Sequence, residues 1–176
     1  MRSFLGSRVV FYAAALLVGS CAPALDWREV KPEGGRLVVL FPCKPQKQLR
    51  SLRLAGVDVA TQLLSCRAEG TLWALSATNV GKQTLVAPAL AELRTARARN
   101  LEGRETHARR ASVKGMEGSD AAMRFEIAGS RPNGTGLLEQ AMVVSAGMWV
   151  FHVGALGGAP SAATLETFFD GVHLQR

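Results

Sequence analysis

Several groups of residues in this 176-residue sequence carry side chains that chemistry could use. Ser145 and His152 fall on neighbouring predicted strands, as a nucleophile and its base would, but no G-x-S-x-G elbow surrounds the serine. His152 reads instead as a strand residue pointing to a sheet face, and His173 as a surface residue beside a terminal helix. Glu126 and Glu139 fall on adjacent predicted strands, in positions that could oppose each other. Paired carboxylates are the machinery of glycosidases, yet two strand glutamates read first as a solvated face. Gly154-Ala-Leu-Gly-Gly158 stands between a predicted strand and a predicted helix, the layout of a phosphate cradle. It lacks the G-x-x-x-x-G-K-S/T pattern, and Pro160 removes an amide donor, so it reads as a strand-to-helix loop. Cys43, Cys66, His107, His152 and His173 show no metal-ligand spacing, and no C-x-x-C is present. The reading therefore predicts no catalytic residue, no metal and no cofactor.

The charged residues give a different signal. Arg94, Arg97, Arg99, Arg104, Arg109, Arg110 and Lys114 crowd one predicted helix and the strand after it, offset in part by Glu92, Glu102 and Glu105. The plain reading is an arginine-rich solvated face. The functional one is contact with an anionic partner: lipid headgroups, lipopolysaccharide phosphates or an acidic protein. The formal charge is +7, a balance that favours salt-sensitive contact with anions and says nothing about fold. No aromatic residues interleave with the basic ones, so nucleic acid is not an expected partner.

Residues 1–20 have the layout of a secretion signal. Arg2 and Arg8 form the basic end, and Val9–Val18 is an apolar run too short to span a bilayer core of roughly 30 Å. Two cleavage sites fit. Val18-Gly19-Ser20-Cys21 resembles the bacterial lipobox, although Leu is usual where Val18 stands and Gly or Ala where Ser20 stands. In that family the cysteine thiol is lipidated and becomes the new N-terminus. Ala22 after the cysteine, rather than Asp, resembles the signal for the outer membrane. The alternative is a cut after Ala24 at the A-x-A site Ala22-Pro23-Ala24, which discards Cys21. Cleavage removes Arg2 and Arg8, leaving 19 basic and 14 acidic residues, or +5. Either route leaves Cys43 and Cys66 as an even pair in an oxidising compartment, where a disulfide is expected. It would close a loop of about 24 residues, worth roughly 3 kcal/mol on the chain-entropy model.

The elements that hold these residues follow from pattern. Residues 21–35 read as a tether and lead-in, with Pro32-Glu-Gly-Gly35 a turn, and residues 36–176 as one domain. Arg36–Phe41 is an apolar strand stopped by Pro42 and Pro45. Lys47–Leu54 reads as a strand with arginines outward and leucines inward. Val57–Arg67 returns from a turn at Ala55-Gly56, with Thr61 and Leu63 on one side and Leu64 and Cys66 on the other. Thr71–Val80 continues the meander. The period then changes. Pro88–Leu101 reads as a helix with Leu90, Leu93, Ala96 and Leu101 toward the core, Arg94, Arg97 and Arg99 on the rest, and Gly103 as a left-handed cap. Thr106–Val113, Ala121–Ala128, Gly136–Ser145 and Met148–Leu156 read as strands. A closing helix after Ser161 carries Leu165, Phe168 and Phe169 and ends at Gly171. The fold class expected is α+β: an antiparallel sheet with one helix from each half packed on it, plus the N-terminal signal helix.

Three motifs add a resemblance over roughly Arg36 to Leu174: Phe41-Pro-Cys-Lys-Pro45 closing the opening strand, Ala146-Gly-Met-Trp149, and Phe168-Phe-Asp-Gly-Val172 near the end. Together they resemble the PsbP-like α-β-α sandwich, and more closely small uncharacterised exported proteins of proteobacteria. This sequence departs from the pattern at Gly171, where serine is usual, and in carrying the cysteine pair. The resemblance implies a non-catalytic accessory or assembly factor, here a lipoprotein on the periplasmic face of the outer membrane, or a periplasmic protein if unlipidated. Its implied partner is another envelope protein or an anionic envelope component. A periplasmic small-ligand-binding protein is the alternative.

Overall fold

The computed structural model describes residues 25–118 and 120–175. The expected signal helix and Cys21 lie outside the described residues. The fold is α+β, but its strands form two antiparallel sheets rather than one. Among the described residues ten strands run in chain order: β1 (Arg28–Val30), β2 (Leu37–Phe41), β3 (Gln46–Leu54), β4 (Val57–Ala68), β5 (Thr71–Asn79), β6 (Arg104–Arg110), β7 (Ala122–Ser130), β8 (Gly136–Ala146), β9 (Trp149–Leu156) and β10 (His173–Leu174). Helix α1 (Val86–Asn100) separates β5 from β6, and α2 (Ala162–Asp170) separates β9 from β10. The large sheet has the order β3-β4-β5-β9-β8-β7-β6, and the small one β1-β2-β10. Two meanders thus meet at the β5–β9 pair, with α1 carrying the chain from the middle of the sheet to its far edge.

The apolar opening strand belongs to the small sheet, where the lead-in supplies β1 and the residues after α2 supply β10. The prolines explain the change of layer. Pro42 and Pro45 interrupt strand hydrogen bonding, and the chain emerges from the corner as β3 in the other sheet. The disulfide between Cys43 and Cys66 fastens that corner to β4, with Cα atoms 6.0 Å apart.

Strand alternation splits the core into two layers. Met142 and Val144 of β8, Phe151 and Val153 of β9, and Trp73 and Leu75 of β5 face α2 and the small sheet. Ala141 and Val143 of β8 and Phe125 and Ile127 of β7 face α1. Phe168 is the hub of the first layer, fully buried, with its ring 4.7 Å from Trp73 and 5.9 Å from Phe41. Gly34 and Gly35 let the turn before β2 press on this layer. A Cβ at Gly34 would stand 2.9 Å from Trp149, and one at Gly35 3.0 Å from Phe151.

The helices start and stop for local reasons. Pro88 sits in the first turn of α1, where its missing N–H costs nothing, and a 3-10 turn at Gln83–Leu85 brings the start forward to Val86. The left-handed residue after α1 is Glu102, at φ 48°, and not the expected Gly103. Gly103 is needed for space, since a Cβ there would lie 2.6 Å from the Ala128 carbonyl. Ser161 caps α2 by accepting a hydrogen bond from the Thr164 N–H at 3.1 Å.

One strand departs from its expected pattern. Leu49 is 68% exposed, and Arg50, not Leu49, shares a face with Leu52 and Leu54. β3 is the outermost strand at its edge of the large sheet, and only Leu54 is buried there. α1 covers this strand only at its end, where Leu52 and Leu54 pack with Val86 and Ala89, so the alternation expected upstream has nothing to cover it.

Opening the bridge tests the corner. The Cys43→Ala/Cys66→Ala variant is expected to lose about 3 kcal/mol of unfolding free energy, read as a lower urea midpoint. Reductant is expected to bring the unsubstituted chain to the same midpoint.

Candidate functional site

The largest concentration of buried polar chemistry lies under α1. β8 sends Leu137, Glu139, Ala141 and Val143 toward the helix, and β9 sends Val150, His152 and Gly154. In each strand one slot of an apolar series holds an ionisable group. Glu139 is 2% exposed and His152 5%. From above, Arg97 reaches down in a fork: its Nη2 donates to Glu139 Oε1 at 2.7 Å and its Nε to Oε2 at 3.0 Å. His152 Nε2 stands 3.6 Å from Glu139 Oε1, beyond hydrogen-bond reach, and has no hydrogen-bond partner among the described residues. Gly154 makes the room. A Cβ there would lie 2.8 Å from Glu139 Oε1 and 3.0 Å from His152 Cε1.

Burial decides the charge states. It pushes the Glu139 carboxyl up, and the Arg97 fork pulls it back only in part. Burial, with the Arg97 charge second, brings His152 down to about 3, so the imidazole is neutral. This cluster can hold α1 in register on the sheet. It presents no accessible acid or base.

Sequence reasoning placed Arg97 among the surface cations and missed its place inside. The signal was present, because Arg97 lies four residues from both Leu93 and Leu101, on the inward stripe. Arg94 is likewise engaged. It pairs with Glu105, to whose Oε2 its Nε donates at 2.9 Å, and stacks 5.5 Å from the Phe125 ring. Arg99 and Arg104 are exposed.

The remaining members of the expected basic patch gather elsewhere. Arg109, Arg110 and Lys114 border an open groove of about 450 Å³ between β6 and α2. Arg124, unremarked in the sequence, joins them. Its guanidinium lies 4.2 Å from the Phe169 ring, and its Nη2 donates to Glu166 Oε1 at 3.3 Å. The expected patch is therefore two regions on opposite faces of the sheet. A second open groove, of about 470 Å³, runs between α1 and β7 and is largely apolar, with Arg94, Arg110 and Asp120 among its lining.

The other candidates separate. Glu126 lies opposite Gln140 and Glu139 opposite Ile127, so the two carboxylates face opposite sides of the sheet and cannot work as a pair. Ser145 lies opposite Val150, and its Oγ accepts a hydrogen bond from the Ala121 N–H at 2.9 Å. The glycine-rich stretch is a packed connection. A Cβ at Gly158, itself at φ 62°, would collide with Thr71 Oγ1 at 2.1 Å, and that hydroxyl donates to the Gly157 carbonyl. No cluster of His, Cys, Asp or Glu among the described residues could hold a metal ion. No protein-family model matches the chain, and no curated protein matches it significantly.

Two variants test the buried cluster. Arg97→Met strands an uncompensated carboxylate and is expected to cost about 3 kcal/mol, whereas Arg97→Met/Glu139→Leu recovers most of that loss. Tryptophan-monitored urea unfolding measures both.

The cluster also sets a pH dependence. The folded-state value of His152 lies below its ordinary 6.5, so its contribution is complete above pH 6.5 and is lost as pH falls toward 3. The slope is up to tenfold in the folding equilibrium per pH unit. Glu139, raised by burial, acts in the opposite sense, since the folded state takes up its proton first as pH falls. His152→Gln removes the histidine slope alone. Its unfolding midpoint is expected to fall less than that of the parent chain over this window, and matching curves would refute the assignment.

Proposed function

We propose that this chain is an exported, non-enzymatic domain of the bacterial cell envelope, anchored as a lipoprotein through Cys21 to the periplasmic face of the outer membrane. It serves another envelope component by binding rather than by catalysis. The carrying observation is the Cys43–Cys66 bridge. Such bonds persist in oxidising compartments and are reduced in the cytosol, in agreement with the leader. The layering supports the PsbP-like α-β-α resemblance: α1 on one face of the large sheet, α2 and the small sheet on the other. A binding role is further supported by where the ionisable groups lie. The histidine and carboxylate closest to each other are sealed under α1, while the free cations line an open groove.

The alternative, a periplasmic small-ligand carrier, has the largely apolar groove between α1 and β7 in its favour. That groove is open at the surface and not an enclosed cavity, which suits a surface contact better than an enclosed ligand.

Radiolabelled fatty acid fed to cells making the full chain tests the anchor. Incorporation is expected, and Cys21→Ser is expected to abolish it. A mature N-terminus at Leu25 without label would make the protein soluble and periplasmic. An uncleaved chain with free thiols at Cys43 and Cys66 would sink export altogether.

A further inference from the structure

β6 and β7 begin in a regular antiparallel register: Arg104 opposite Ala128, Glu105 opposite Ile127, Thr106 opposite Glu126. The register then slips by one residue, so that Arg109 lies opposite Arg124 and Arg110 opposite Met123. Uninterrupted pairing would have set Arg109 opposite Met123, on the face that α1 covers. The extra residue turns the strand over and brings Arg109 to the α2 side, directly across from Arg124. Such bulges re-aim side chains.

This arrangement carries two costs. His107, inside the bulge, has φ 52°, a left-handed conformation uncommon outside glycine, although histidine adopts it more readily than most residues. Like charges directly opposite on one face of a sheet also repel. The packing compensates Arg124, which also lies 3.5 Å from Gln140 Oε1, but not Arg109. Arg109 is exposed and makes no ion pair or side-chain hydrogen bond among the described residues. Arg124 is held flat against Phe169 at 4.2 Å, with only Glu166, whose side chain is 58% exposed, as its counter-charge. Lys114 stands on the same groove, with Glu166 and Asp170 on its α2 wall, whereas Arg110, opposite Met123, also borders the groove under α1.

We propose that the Arg109–Arg124 pair is a phosphate-binding site, which a phosphomonoester occupies by spanning both guanidinium groups. Planar guanidinium forks match phosphate oxygens in pairs. A doubly charged group with three free oxygens can serve two forks at once. A single carboxylate balances only one of the two charges: Glu166 is already such a group, and it leaves Arg109 without a partner. The groove is open, so the phosphate can be free or carried on a lipid headgroup. The proposal narrows the binding role given above to one ligand chemistry and rests on that role. It is tested on purified protein, so a negative fatty-acid labelling result leaves it standing, and the reverse also holds.

The test uses the full-length chain expressed with its leader, purified, and its Arg109→Gln, Arg124→Gln and Arg53→Gln variants. Arg53 lies on β3, at the opposite edge of the sheet, and supplies the same change of charge. Two probes are applied: inorganic phosphate by calorimetry, and sedimentation with phosphatidylcholine vesicles with or without phosphatidic acid. Saturable binding to at least one probe is expected, weakened about tenfold or more by Arg109→Gln and by Arg124→Gln and unchanged by Arg53→Gln. Arg109→Lys keeps the charge without the fork and is expected to weaken binding too. Binding that requires phosphatidic acid assigns a lipid source, and binding of free phosphate alone assigns a soluble one. No saturable binding to either probe, or equal losses in the Arg53→Gln and Arg109→Gln proteins, would overturn the proposal.

Discussion

The chain first changes layer between Pro42 and Pro45, returning only after β9 to supply α2 and β10, and the later elements depend on that first step. Before it, β2 is packed among residues that end up beside α2. After it, β3 begins the large sheet. The two prolines stop strand pairing without fixing where the next strand goes, and the Cys43–Cys66 bond supplies the missing constraint by tying the corner to β4. With that corner set, β1 and β10 find β2 from either side although they lie at opposite ends of the domain. The inner face of the large sheet then closes on a hub of rings around Phe168.

The two helices are held by different physics. α2 is a capped, amphipathic helix whose buried Leu165, Phe168 and Phe169 drive its packing. α1 fully buries only Val86 and Ala89, with Leu90, Leu93 and Ala98 partly covered, and adds specific polar anchors. The Arg97 fork on Glu139 fixes its C-terminal half, and Glu92 accepts the Ala55 N–H near its middle at 2.7 Å. Buried ion pairs are weak sources of net stability, because desolvation consumes most of the Coulombic gain. What this pair contributes is position. A helix that crosses from the centre of the sheet to its edge could settle at several angles on an apolar surface, and a forked bond to one buried carboxylate selects among them.

Much of this could be read from residue order. Strand limits came out close wherever turn residues were unambiguous, as at Ala55-Gly56 and Glu69-Gly70, where both residues of each pair adopt positive φ. The disulfide followed from counting thiols in a chain whose first residues read as an export signal. The second sheet was hidden because β1 and β10 are three and two residues long, too short to show alternation, and pair only through distant sequence. Leu49 misled because the pattern of a strand does not reveal that it sits at an uncovered edge. Arg97, Glu139 and His152 were visible as polar intrusions into apolar series, but charge was read as exposure. The register slip in β6 had no sequence signature, since His107 and Ala108 do not announce a bulge. The cations of the proposed site were therefore legible as a group and not as a constellation.

Gly154 has an evolutionary consequence. Its single hydrogen is the space in which the Glu139 carboxylate and the His152 ring sit, so these positions cannot drift independently. A lineage that acquires alanine at 154 first must displace a charged oxygen into a dry interior, whereas one that first shortens the acid to aspartate opens the space beforehand. The order of substitutions matters more than their identity. Homologous chains should divide into those that retain glycine, glutamate and arginine together and those that have replaced the whole set with hydrocarbon, with few survivors between.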